Sequence, residues 1–243
     1  MRILVVADIH ANRAALEAIS EPHDLCLCLG DTVEYGPDPA ACVDWVRRHA
    51  HHGVRGNHDH GVAQNVDLVG TGGFRYLTMV TRGPTLAALG DFHRRYLATR
   101  PTTQMLTLDG KRFLLVHATP RDPLDEYTPS DPKSWESRLR GVKADFVLVG
   151  HTHQQFSFPV GDAVLVNPGS VGLPRNGDPR ARYAIIEGGE VRLKQVEYPI
   201  GETVARVEAM AIEPRARAML ADVYRHGRYT NGNGDGGASE PTT

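Results

Sequence analysis

The sequence predicts an α/β fold in which mixed β-sheets pack together with helices outside. Three observations lead there. Segments such as 3–7 (ILVVA) and 113–116 (FLLV) are nearly continuous apolar runs, as strands covered on both faces require. Helical patterns alternate with strands through the first half. The second half is rich in strands, with Asp-Gly and Gly-Gly pairs at the turns.

In chain order, 2–8 (RILVVAD) and 24–31 (DLCLCLGD) read as strands that end in an aspartate. Between them, 12–20 (NRAALEAIS) has helical spacing. A second helix is expected over 38–50, with Asp38 as its cap and Pro39 near its start. Residues 71–98 are largely helical in pattern, and Gly83 and Pro84 are expected to split them. Strands 104–110 and 111–118 flank the pair Asp109-Gly110. A short helix is expected near 131–141. Strands follow at 145–151, 163–169, 182–189 and 190–198. Helical pattern returns at about 202–226. From Arg228 onward apolar periodicity is lost, so 228–243 is expected to be a disordered tail behind a single domain, 1–227.

Bulk properties exclude several classes. The chain has 243 residues, 41% of them apolar, which is ample for a core. A net charge of −2 gives no electrostatic basis for general nucleic-acid or acidic-membrane binding. No run approaches the roughly 18 apolar residues of a membrane span. No signal-peptide pattern follows Arg2, and three cysteines make no disulfide framework. A cytoplasmic setting is the expectation.

The ends of the apolar segments carry the chemistry. "VVADIH" delivers Asp8 and His10, and "CLCLGD" delivers Asp31. "VRGNHD" supplies Asn57, His58 and Asp59, and "LLVH" ends in His117. "VLVGHTH" ends in His151 and His153. In extended backbone, a spacing of two puts side chains on the same side, so each such pair is expected to approach one point or two neighbouring points. Ligands of open α/β sheets collect beyond the carboxyl ends of strands. Any one fragment is weak; the ordered set D-x-H, GD, GNHD, H, GHTH points to a shared metal site.

With "ADIHAN", "LGDTVEYGP", "RGNHD", "LVHATPRDPLDEY", "GHTHQ" and "NPGSVGLPRNGDPRA", the chain resembles the calcineurin-like metallophosphoesterase superfamily over about 1–198. The match lies in its compact bacterial and archaeal phosphodiesterase branch. The resemblance implies a four-layer α/β/β/α sandwich of two mixed sheets, with a two-metal site at the sheet edges. By the family pattern Asp8, His10 and His153 hold one ion, Asn57, His117 and His151 hold the other, and Asp31 bridges. The implied reaction is hydrolysis of a phosphate ester by in-line attack of hydroxide held between the metals. Two divalent ions bring four positive charges and the two aspartates remove two. The hydroxide removes a third, which leaves the site matched to the single charge of a phosphodiester.

His58 resembles the family's catalytic histidine and is assigned as general acid or transition-state stabiliser, with Asp59 orienting and charging the imidazole. Asn12 is read either as a substrate contact or as a helix cap, and Arg175 either as a phosphate clamp or as a surface ion-pair partner. Tyr35 and Tyr127 are read as loop packing in preference to nucleoside stacking. Cys26 and Cys28 share one strand face and read as core, and the basic run 47–52 reads as a solvated helix end. Mixed nitrogen and oxygen donors favour manganese or iron, with zinc, nickel, cobalt or magnesium as alternatives. The substrate is expected to be a small phosphate ester such as a nucleotide, gripped by loops 33–38, 60–72, 119–130 and 170–180. Two alternatives stand. One is a protein Ser/Thr or dinucleoside-polyphosphate phosphatase, although "GDTVEYG" lacks the arginine of the protein phosphatases' GDxVDRG. The other is a non-catalytic scaffold of the same fold.

Overall fold

The computed structural model describes residues 1–229. Two five-stranded mixed sheets stack face to face with helices outside. In the first, β1 (Arg2–Val6) pairs in parallel with β2 (Leu25–Cys28), and β2 with the two-residue β3 (His52–Gly53). The other partner of β1 is the antiparallel β9 (Ala181–Glu187), which β10 (Glu190–Val196) extends. In the second sheet β5 (Lys111–Val116), β6 (Phe146–Leu148) and β8 (Ala163–Pro168) run parallel. β4 (Thr103–Leu108) and β7 (Gln155–Val160) are its antiparallel edges.

The continuous apolar runs follow from burial on both faces. Ile3 and Val5 of β1, Ala7 just after it, and Leu27 and Leu29 in and after β2 meet Phe113, Leu115, Phe146 and Leu148 between the sheets. The alternate residues Leu4, Val6, Cys26 and Cys28 face outward and pack with Leu16 of α1 (Arg13–Glu17) and Val46 of α2 (Pro39–His49). The cysteine pair is therefore core. On the outer face of the second sheet, Trp135 of α6 (Pro132–Glu136) joins Leu114, Val147 and Leu165. No helix among the described residues is long and apolar enough to cross a membrane.

Three local expectations need correction. The helical stretch 71–98 is not broken at Gly83-Pro84. α4 (Gly73–Ala88) runs through Pro84, and the break comes at Gly90, ahead of α5 (Asp91–Thr99). A helix tolerates one lost N–H when packing holds the adjacent turns, and Thr81 and Thr85 are buried on either side of the proline. The stretch 202–226 is two helices, α7 (Ile200–Glu208) and α8 (Pro214–His226), with Pro214 at the start of the second. The expected loop 60–72 begins instead within a helix, α3 (Asn57–Gln64). The proposed tail lies outside the described residues from residue 230; Tyr229 before it packs against the cluster of α4, α7 and α8.

Candidate metal centre

The seven proposed donors lie at one rim, where the parallel strands end: Asn57 opens α3 and the other six lie on loops. Five of them do not have extended backbone. Asp8 (φ 51°), His10 (45°), Asp31 (53°), His151 (67°) and His153 (58°) are all left-handed. The spacing of two therefore does not act through a strand's alternation. Left-handed turns fold each pair back, and His151 and His153 diverge to two neighbouring clusters. Such backbone is strained for a residue with a Cβ and persists only where the surroundings enforce it. Interlocking amides enforce it here: Asp8 N–H donates to Gly30 O (3.0 Å), His10 N–H to Asp31 O (2.9 Å) and Gly150 N–H to His117 O (2.8 Å). The Asn-Pro-Gly-Ser turn braces them, through Asn167 Nδ2 to Gly150 O (2.7 Å) and Ser170 Oγ to Asp8 O (2.7 Å). Close approach also needs glycine: a Cβ on Gly56 would lie 2.0 Å from Asp31 Oδ1.

Asp31 sits at the centre. Its Oδ2 is 3.1 Å from His117 Nε2, 3.8 Å from His10 Nε2 and 3.9 Å from His58 Nε2. Its Oδ1 accepts from His58 N–H (2.9 Å). Three groups of close donors result: Asp8, His10 and His153; His10, Asp31 and His58; and Asp31, His117 and His151. Asn57 joins the last through Oδ1, 3.1 Å from His117 Nε2.

The imidazoles are locked in tautomers that suit a cation. Nδ1–H of His10 donates to Val33 O (3.2 Å), that of His117 to Leu29 O (2.8 Å) and that of His153 to Leu173 O (2.5 Å). Carbonyls only accept, so each Nε2 is left to face the site. His151 is turned round, its Nε2–H donating to Asp125 O (3.3 Å). His10 Nε2 and His153 Nε2 then meet at 3.1 Å with two lone pairs. Asp8 Oδ2 is buried with no hydrogen-bond donor. Converging lone pairs and an orphaned carboxylate oxygen fit metal cations.

Electrostatics agree. Burial drives His10 and His153 well below the ordinary imidazole value, and burial followed by the charge on His117 lowers His151 to about 3. These rings stay neutral, as ligands must. Burial opposes charge on His117 too, but Asp31 outweighs it and lifts that ring to about 9. A proton or a metal ion answers the same attraction.

His58 is oriented by Glu34 and not, as the sequence reading expected, by Asp59. Nδ1 of His58 lies 2.5 Å from Glu34 Oε2. Burial disfavours the imidazolium, but Asp31 and Glu34 outweigh it and raise the pKa. Asp59 sits in the first turn of α3 and bends back, accepting from Thr32 N–H (2.8 Å) and Gly56 N–H (3.3 Å). The sequence alone does not single out Glu34, because a glutamate three residues after Asp31 has meaning only once the turn at Glu34 (φ 70°) and Tyr35 (φ 62°) is known.

Asn12 is the helix cap and not a substrate contact. Its Oδ1 accepts from Ala15 N–H (3.2 Å) and Thr203 Oγ1 (3.0 Å), and its Nδ2 donates to Gly172 O (2.9 Å) and Tyr198 Oη (3.3 Å). Fully buried, it has no group left for a ligand. Arg175 does reach the site. It helps line a cavity of about 400 Å³ together with Asp31, Asn57, His58, Tyr127 and His151. Its guanidinium lies 3.7 Å over the Phe74 ring and donates to Tyr127 Oη (3.2 Å), while its Nε is buried and unpartnered. Tyr35 is buried packing; Tyr127 is 52% exposed and rests on His151 with ring centroids 4.4 Å apart.

Comparison with known proteins gives a consistent family. The model of the calcineurin-like phosphoesterase superfamily domain matches residues 1–190. An uncharacterised protein of Methanocaldococcus jannaschii is 28% identical over 84% of this chain and 91% of its own length. The crystal structure of a metallophosphoesterase from Sphaerobacter thermophilus is 31% identical, covers 92% of this chain and 99% of that one, and superposes with a TM-score of 0.76. A hypothetical protein from Pyrococcus horikoshii, at 21% identity with 94% and 99% covered, shares the fold with a TM-score of 0.79.

Proposed function

This chain belongs to the calcineurin-like phosphoesterase superfamily, and on that premise we propose that it hydrolyses small phosphate esters, diesters or nucleotides in preference, with two divalent cations. The observation that carries the reading is the position of Asp31, whose Oδ2 faces the imidazoles of His10 and His117 at once. A carboxylate shared between two donor clusters is what a two-ion site needs. We assign Asp8, His10 and His153 to one ion, Asn57, His117 and His151 to the other, and Asp31 to both. Divalent ions there supply an acidified water and offset charge at phosphorus. The donor set, oxygen and imidazole without thiolate, suits manganese or iron.

The remaining steps belong to this chain's own side chains. His58 presents Nε2 to the site and is held at Nδ1 by Glu34, so it is placed to hand a proton to the leaving oxygen. Arg175, pinned against Phe74 on the cavity wall, places a fixed positive charge beside a bound phosphate. Residues 1–227 act as one domain in this reading, because Thr203 of α7 bonds the Asn12 cap and α8 packs in one cluster with Tyr35 and Leu173. The test is hydrolysis of bis-p-nitrophenyl phosphate by chelator-treated protein reloaded with manganese, iron, cobalt, nickel or zinc. Turnover that depends on added metal is expected; no turnover with any of them sinks the reading in favour of a non-catalytic scaffold.

A further inference from the structure

One face of α4 carries Thr78, Thr81 and Arg82, and all three reach the turn that follows Asp31. Thr81 Oγ1 accepts from Tyr35 N–H (3.2 Å), and Thr78 Oγ1 shares a hydrogen bond with Tyr35 Oη (2.7 Å). Arg82 takes hold of both oxygens of Glu34, Nε on Oε1 and Nη2 on Oε2 (3.3 Å). Its remaining arm, Nη1, donates to the carbonyl of Val66 (2.7 Å), in the segment that walls the cavity. Glu34 is fully buried, and its other partner is His58. A buried carboxylate needs charged or hydrogen-bonding partners in place of its water. Arg82 supplies them on the side away from His58. The planar fork thus fixes the direction in which Glu34 faces His58.

We propose that Arg82 is a positioning residue: through Glu34 it aims His58 at the leaving oxygen, and through Val66 it ties that aim to the wall against which the substrate rests. The inference depends on the phosphoesterase reading and goes beyond it.

The experiment compares manganese-loaded wild type, Arg82→Ala and Arg82→Lys on bis-p-nitrophenyl phosphate and diphenyl phosphate, with a thermal melt of each. p-Nitrophenolate departs without a proton; phenolate needs one. Arg82→Ala is expected to lower kcat for diphenyl phosphate roughly 10–100-fold, and to lower it less for the nitrophenyl ester. Arg82→Lys, which keeps a cation on Glu34 but cannot also hold Val66, is expected to restore most of that kcat while KM stays raised. Equal slowing of both esters by Arg82→Ala, or no recovery with lysine, overturns the proposal. If the alanine variant does not fold, the lysine variant decides: raised KM with kcat kept supports it, and equal loss of kcat on both esters overturns it. Wild type that hydrolyses neither ester removes the reaction and the proposal with it, and is distinguished by failing before any variant is compared.

Discussion

At the carboxyl ends of β1, β2 and β6 the chain turns on Asp8, Asp31, His151 and His153; at the opposite end it turns on Gly110, Gly188 and Gly189. Every one of these residues is left-handed. At the glycine end a Cβ would meet nothing within 4 Å, and the neighbouring cleft is lined by Ile3, Leu108, Phe113 and Ile186. A left-handed residue with a Cβ costs about 1–2 kcal/mol relative to its usual conformation, and glycine avoids most of that. The rim accepts this strain because it needs the side chains; the far end needs only to reverse direction. Backbone conformation alone does not separate the two ends, and residue type does so only in part: the far end also turns on Asp109 (φ 47°) and the rim also on Gly30 (φ 96°).

Four measurements break or sharpen that contrast. The largest effect belongs to Asp31→Asn, which leaves the backbone bond to His58 N–H available but removes the shared charge. Turnover should fall by more than the roughly 100-fold that marks loss of a partner which only orients a ligand, and elemental analysis should find fewer than two metal ions per chain. Full activity with two ions bound would deny Asp31 its bridging place. Next, His58→Ala should keep both ions and slow diphenyl phosphate by about 10²–10⁴-fold, with a smaller loss on the nitrophenyl diester. Equal losses would remove its role as an acid.

Third, metal removal should act on stability through the rim. With free metal at about 1,000 times its Kd, binding should add about 4 kcal/mol, read as a higher melting temperature that chelator abolishes. An unchanged melt would mean that the lone pairs at the rim do not bind a cation. The smallest effect compares two alanines. Gly56→Ala drives a methyl into Asp31 and should cost about 1–3 kcal/mol with loss of activity. Gly110→Ala meets open space at φ +74°, so it should cost about 1 kcal/mol and leave activity alone. Similar activity losses at both positions would mean that the two ends are not independent.

Much of this was readable beforehand where chemistry and pattern coincide. The apolar runs of β1, β2, β5, β6, β8 and β9 were legible because burial on both faces confines polar residues to the strand ends. β7 was missed because Pro159 argues against a strand; it is tolerated because β7 is an edge. β3, with two residues, carries no period to detect. At the rim the donors were legible as residue types, but the backbone that presents them was not. Two imidazoles spaced by two suggest an extended strand, and only the amide network around Asp8 and Gly150 reveals the left-handed turns. Glu34 and Arg82 illustrate the deeper limit. They are 48 residues apart and meet only after α4 has docked, so neither carries a local signature. Asn12 had two readings at the outset; its four hydrogen bonds decide between them, and they need Gly172, Tyr198 and Thr203 in place.

On the proposed reading, the rim also sets when the protein could acquire metal ions. Donors at positions 8, 31, 57, 117 and 153 come from segments spread over most of the chain, and no short stretch holds more than two of them. A partly folded chain offers only isolated ligands of low affinity, so tight capture waits until both sheets have closed. On the proposed reading, metal loading would then report completed assembly.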